Sequence, residues 1–190
     1  MSFREAIKSK KGSLKHTDTI VTTVDGKIIK ETKDKSEIIG ECVGYIVDTK
    51  PDRIPVKIIN NLYLGAQDCC EKEVLDCFDI RVVLSIGIEP SEKYRSIIYK
   101  YIDCLDLPET ELKSTLDIAI RFIDQHIDCN QILVHCNAGV SRSASIVIGY
   151  LILKKGFDYE GALQLCRKVR SCVKPNIGFE KQLKMLSNTL

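Results

Sequence analysis

The sequence predicts an α/β domain with a mainly parallel sheet covered by helices on both sides, and three observations carry that prediction. From Pro55 onward, apolar runs of strand length alternate with helical patterns. The run ILVHC (132–136) is continuously apolar, as in a strand buried on both faces. In ELKSTLDIAIRFIDQHI the residues Leu112, Leu116, Ile120, Ile123 and Ile127 recur at helical spacing, giving a one-sided helix that needs a sheet to cover it.

Residues 1–52 read as an N-terminal extension, loosely ordered, with a short hairpin in VTTVDGKIIKE where Asp25-Gly26 is a two-residue turn signal. Its head carries Arg4, Lys8, Lys10, Lys11 and Lys15 against Glu5 and is expected to be a solvated tail. The domain proper, 53–190, opens with the strands VKII and LYLG split by the turn Asn60-Asn61. A helix follows over about 68–77, then the strand VVLSIG and a further strand at 99–103. After the long amphipathic helix and ILVHC comes SASIVIGYLIL, apolar nearly all round and so a central buried helix. Two amphipathic helices close the chain. One turns Ala162, Leu165, Cys166 and Val169 inward, the other Phe179, Leu183, Leu186 and Leu190, with Pro175 as breaker and Asn176 as N-cap between them.

A net charge of +2, from 28 basic and 26 acidic side chains, gives no global field of the kind that marks a nucleic-acid binder. No apolar run reaches the length of a membrane span, and the N-terminus lacks the apolar core of a signal peptide. A reducing cytosolic or nuclear setting is therefore expected, in which most of the nine cysteines are small buried hydrophobes; no paired CxxC suggests zinc.

Cys136 differs from the others by its position, at the carboxyl end of a strand where α/β sheets bind ligands. Between it and a helix opened by Ser143 lie Asn137, Ala138, Gly139, Val140 and Ser141, small or turn-prone and without negative charge. Backbone N–H groups of such a loop turn inward as a nest, which joins the helix N-terminus to form an anion site of phosphate size. Arg142 supplies a planar fork for two phosphate oxygens. The loop has no lysine and no GxxxxGK[ST] pattern, so it is not a nucleotide loop. A field that attracts phosphate also favours the thiolate of Cys136, a nucleophile that attacks phosphorus and passes through a cysteinyl phosphate. Ser143 is placed to donate to the sulfur, and His135 to orient the base of the loop.

HCNAGVSRS has the HCxxGxxR[ST] pattern of the cysteine-dependent protein tyrosine phosphatases. With NNLYLGAQD, VVLSIG, LDLPET, SASIVIGYLI and KPNIGFEKQL, about residues 55–188 resemble a small atypical dual-specificity phosphatase domain. The resemblance implies a protein tyrosine phosphatase-like fold with a five-stranded sheet, no metal or cofactor, and dephosphorylation of phosphotyrosine, phosphoserine and phosphothreonine in proteins. It assigns the general acid that protonates the leaving oxygen to Asp106, with Asp103 still within the strand and Glu109 and Glu111 at the surface. Phosphorylated proteins are the implied partners, with MAP kinases or their activators as candidates, although docking to a MAP kinase is not implied directly. Lipid-directed relatives carry loop lysines that are absent here, and no aromatic-basic surface for RNA is evident. The competing reading is a scaffold that binds signalling kinases with little catalysis. Arg167, Lys168, Arg170 and Lys174 either favour acidic phosphopeptides or form a solvated helix face, and the solvated face is the expectation. Cys104 is a candidate partner for Cys136 in a protective disulfide.

Overall fold

Strand pairing in the computed structural model, which describes residues 19–22, 27–32, 35–41 and 52–189, divides the chain into two units, 1–47 and 48–190. In the first unit β1 (Thr19–Thr22), β2 (Lys27–Glu31) and β3 (Ser36–Glu41) form an antiparallel sheet in that order. Thr19 faces Glu31 and Thr22 faces Ile28, the pairing of the predicted hairpin; its Asp25-Gly26 turn and the basic head lie outside the described residues. The third strand was not foreseen, because SEIIGE has no clean alternation to reveal it.

The second unit holds a five-stranded sheet. β4 (Val56–Ile59) and β5 (Leu62–Gly65) form a hairpin across Asn60-Asn61, with Asn61 at φ 63°, a left-handed value that asparagine tolerates. All other pairings are parallel, joining β5 to β8 (Gln131–His135), β8 to β6 (Ile80–Ile86) and β6 to β7 (Ile98–Ile102). β8 is thus central, and its alternation divides the core: Ile132 and Val134 face one apolar cluster, Leu133 the other.

Against the larger cluster pack α2 (Lys113–His126), α3 (Arg142–Lys155), α4 (Tyr159–Val169) and α5 (Ile177–Ser187). α3 is buried at every position from Ser143 to Ile152, as its nearly all-apolar sequence requires. The opposite face is covered by a 3-10 turn, Gln67–Cys70, and α1 (Lys72–Cys77). One helix over 68–77 was expected, and the break at extended Glu71 has a geometric cause. At 100° per residue, Leu75 on an unbroken helix would point roughly 120–140° away from Cys69 and Cys70, whereas all three are buried in one cluster.

α4 departs from its predicted face. Val169 is its last residue and 44% exposed, Leu165 is only half-buried, and Leu163 takes the inward position with Ala162 and Cys166. α5 buries Phe179 and Leu183 as expected, while Leu190 lies outside the described residues. Asn176 caps α5 through its side-chain oxygen, which accepts the Phe179 N–H at 2.9 Å. Phe179 is fully buried, so Phe179→Ala should lower unfolding free energy by about 3–5 kcal/mol, read as a drop in the urea midpoint.

Candidate active site

Cys136 follows the last residue of central β8 and is 1% exposed at the start of the loop that leads into α3. The geometry of this loop is set by its carbonyls. The Cys136 carbonyl accepts from His135 Nδ1 at 3.2 Å, and that of Asn137 from the Gln67 N–H at 2.9 Å. Arg170 donates to the next two, from Nη2 to Ala138 O at 2.6 Å and from Nε to Gly139 O at 3.1 Å. Val140 O accepts the Lys174 N–H at 2.9 Å, and Ser141 O accepts both the N–H and the hydroxyl of Ser145 at 2.8 Å. Six consecutive carbonyls are tied to donors outside the loop. In a trans peptide the N–H points opposite to the C=O, so the amides that follow turn toward the centre as an anion nest.

Gly139 makes the curve possible at φ 68°, and a Cβ there would lie 2.5 Å from Gly65 O. The loop hands over to α3 one residue earlier than predicted: Arg142 is the first helical residue and Ser141 the N-cap. The positive end of the 14-residue helix therefore faces the loop. Ser143, fully buried, donates its hydroxyl to Cys136 Sγ at 3.1 Å. Arg142 lies over Gly87 at the end of β6, where a Cβ would meet Arg142 Nη1 at 2.4 Å; Gly87 also takes a left-handed φ of 71°. Among the described residues, Arg142 Nε is buried without a hydrogen-bond partner, and its nearest carboxylate, Asp106 Oδ2, stands 3.8 Å away.

Asp106 comes from the loop after β7 and is fixed at one oxygen. Its Oδ1 accepts from Ser141 Oγ and Asn176 Nδ2, both at 2.7 Å, while Ser141 Oγ accepts the Asn176 N–H at 3.0 Å. Gly178 lets the Asp106 loop sit against α5, since a Cβ there would fall 1.9 Å from Pro108 O. Asp103 lies just past the strand end, exposed, and accepts from Tyr101. Glu109 and Glu111 are exposed. Cys136, Arg142, Ser143, His135, Asp106 and Asn176 thus converge around one loop.

One expectation about the basic cluster fails. Arg167 donates to Val173 O at 2.9 Å, and Arg170, at 6% exposure, is not part of a solvated face but lies behind the loop in an ion pair with Asp52. Nothing in RKVRSCVK signals this, because the arginine's carbonyl partners are more than 30 residues away in sequence. Gly87 and the hydroxyl of Ser141 were also missed as site features.

Burial acts on four further thiols. Desolvation pushes the thiols of Cys69 and Cys166 up to about 12 and raises those of Cys70 and Cys104, which keeps them protonated and inert. Cys104 shares the larger buried cluster with Cys136. Among the described residues, no group of three His, Cys, Asp or Glu side chains is placed to hold a metal, and no helix is long and apolar enough to cross a membrane.

Residues 62–189 match the family described as dual specificity phosphatase, catalytic domain. The chain is 34% identical to dual specificity protein phosphatase 19 of Mus musculus over 197 residues, covering 96% of this chain and 89% of the mouse protein. Among solved structures it is similar to DUSP15, with a TM-score of 0.66, 30% identity, and coverage of 70% of this chain and 86% of the other. It is also similar to a human tyrosine phosphatase-like serine/threonine/tyrosine-interacting protein, at a TM-score of 0.67 and 28% identity over 73% of this chain and 98% of that one.

His135 is fully buried between two partners, and their chemistry fixes its tautomer. The carbonyl of Cys136 only accepts, so Nδ1 carries the proton and Nε2 accepts from Ser85 Oγ at 2.7 Å. Burial first, then the charge of Arg142, drives the imidazole down to about 4 against a hydrogen bond that favours protonation. Its contribution to stability is therefore present above pH 6.5 and lost as pH falls through about 4. Wild type should lose up to roughly 3 kcal/mol more than His135→Gln across that window, measured as urea midpoints at stepped pH.

Proposed function

Belonging to the dual specificity phosphatase family, the chain is a protein phosphatase, and we propose that it works by phosphoryl transfer to Cys136. The observation that carries the proposal is the loop itself: six outward-tied carbonyls leave inward amides around the thiol of Cys136, with a helix N-terminus and Arg142 beside it. A phosphate monoester enters with its oxygens on the loop amides and on Arg142. The thiolate attacks phosphorus opposite the leaving oxygen. The S–P bond forms as the P–O bond breaks, and Asp106 delivers a proton to the departing alkoxide or phenoxide. Water then attacks the cysteinyl phosphate, Asp106 takes its proton, and the sulfur leaves with its charge eased by the Ser143 hydroxyl. Asn176 and Ser141 keep Asp106 over the loop, and His135 holds the Cys136 carbonyl away from the anion. The amides of Asn137, Ala138, Gly139, Val140 and Ser141 serve the transition state as an oxyanion cradle.

The substrates we propose are phosphotyrosine and phosphoserine or phosphothreonine side chains of proteins, with MAP kinases or their activators as the partner class. A reducing compartment, cytosol or nucleus, suits eight described cysteines that all stand as free thiols. A catalytically idle scaffold would have no need of Cys136, Arg142 and Asp106 converging together. The lipid reading lacks the loop lysines that extra phosphates call for.

Cys136→Ser should lower turnover of an aryl phosphate by more than about 10³-fold while leaving phosphate binding in place, and retained turnover would refute the nucleophile. For Asp106→Asn, the loss should reach about 10²-fold or more on poor leaving groups and nearly vanish on an activated aryl phosphate. Equal losses on both substrates would make Asp106 a structural residue. Vanadate should block the wild-type protein under reducing conditions, an effect a scaffold would not show.

A further inference from the structure

Arg170 takes no part in the proposed chemistry, yet among the described residues it is the only arginine, lysine, aspartate or glutamate that is buried. Its guanidinium has two faces in use. One holds the carbonyls of Ala138 and Gly139, as described. The other forks onto Asp52, with Nη2 at 2.8 Å from Oδ2 and Nη1 at 3.3 Å from Oδ1. Asp52 is itself anchored: Oδ1 accepts the Ile54 N–H at 3.0 Å, and its carbonyl accepts the Cys69 thiol at 3.2 Å. Asp52 lies upstream of residues 62–189, the span that matches the family.

A cation buried this deeply has given up its hydration, and two peptide dipoles do not replace it; the carboxylate of Asp52 supplies the balancing charge. Without that charge, the guanidinium gains by swinging toward water and releasing both carbonyls. Gly139 has the backbone freedom to let a released peptide rotate, which would aim a carbonyl oxygen where an N–H is needed. One rotated peptide removes a donor from a bound anion and adds a repulsive dipole.

We propose that Asp52 and Arg170 are a positioning pair for the phosphate-binding loop, in which the carboxylate holds the guanidinium against the carbonyls of Ala138 and Gly139 and so keeps the loop in its anion-binding form. The pair rests on the Cys136 reading given above and extends the active site's support to a segment outside the family match.

The test uses the full chain carrying Asp52→Asn, which preserves size and the acceptor for the Ile54 N–H while removing the charge. The side chain of Asp52 is 40% exposed, so the substitution leaves the core intact. Vanadate inhibition, kcat and KM on an aryl phosphate, and the melting temperature are compared with wild type where circular dichroism shows both folded. Vanadate affinity and kcat/KM should each fall about 10-fold or more, with the melting temperature shifted by only a few degrees. Asp52→Asn placed on Arg170→Met should add no further loss, because the charge then has nothing to hold. Should Arg170→Met fail to fold, Asp52→Asn alone decides. Unchanged vanadate affinity in Asp52→Asn, or full additivity in the double variant, would overturn the pair. If Cys136→Ser is inactive when that happens, only the pair falls; if Cys136→Ser keeps its turnover, the catalytic reading falls.

Discussion

Between Cys136 and Ser141 every peptide carbonyl finds its donor outside the loop, and those donors come from different parts of the domain. His135 belongs to the end of the central strand, Gln67 to the 3-10 turn, Ser145 to the buried helix, and Arg170 and Lys174 to the segment between α4 and α5. A ring of converging N–H dipoles repels itself in the absence of an anion. Each outward hydrogen bond, worth about 0.5–1.5 kcal/mol net, offsets part of that repulsion. The cost of shaping the site is thus met during folding, and the incoming phosphate does not have to reorganise it.

The sheet order explains why these donors are within reach. β8 lies between β5 and β6, so the loop that leaves its end is flanked by the ends of both neighbours. Gly65 ends β5, and its carbonyl stands where a Cβ on Gly139 would fall; Gly87 follows β6 and admits Arg142. The Asp106 loop reaches the same place from β7 and is seated on α5 by the absence of a side chain at Gly178. Ser141 then joins the two halves of the chemistry, as a loop residue that donates to the acid and an N-cap that starts α3. A displacement of the loop is therefore felt by Asp106 through one hydroxyl.

Much of this was legible in the sequence because it is local. The strand–loop–helix frame around Cys136 and Arg142 follows from an apolar run, five small or turn-prone residues and a second apolar run, and Asn176 announces itself as an N-cap beside Pro175. What stayed hidden depends on tertiary distance. Arg170 looks like one more charge on a basic helix, and only the fold brings it to carbonyls 31 and 32 residues away. The split of the predicted 68–77 helix and the inward turn of Leu163 in place of Val169 follow from which side chains the rest of the fold buries. The strand Ser36–Glu41 has no periodic signature of its own and takes its place through pairing with β2.

The claim at the centre is covalent, that the phosphoryl group passes through the sulfur of Cys136. Its most direct measurement is acid quenching of the protein during turnover of an aryl phosphate, followed by mass spectrometry of the digested chain. The account predicts a phosphoryl increment on the peptide holding Cys136, lost on treatment that cleaves thiophosphate esters and absent from Cys136→Ser. Turnover at the wild-type rate with the increment on another residue would contradict it.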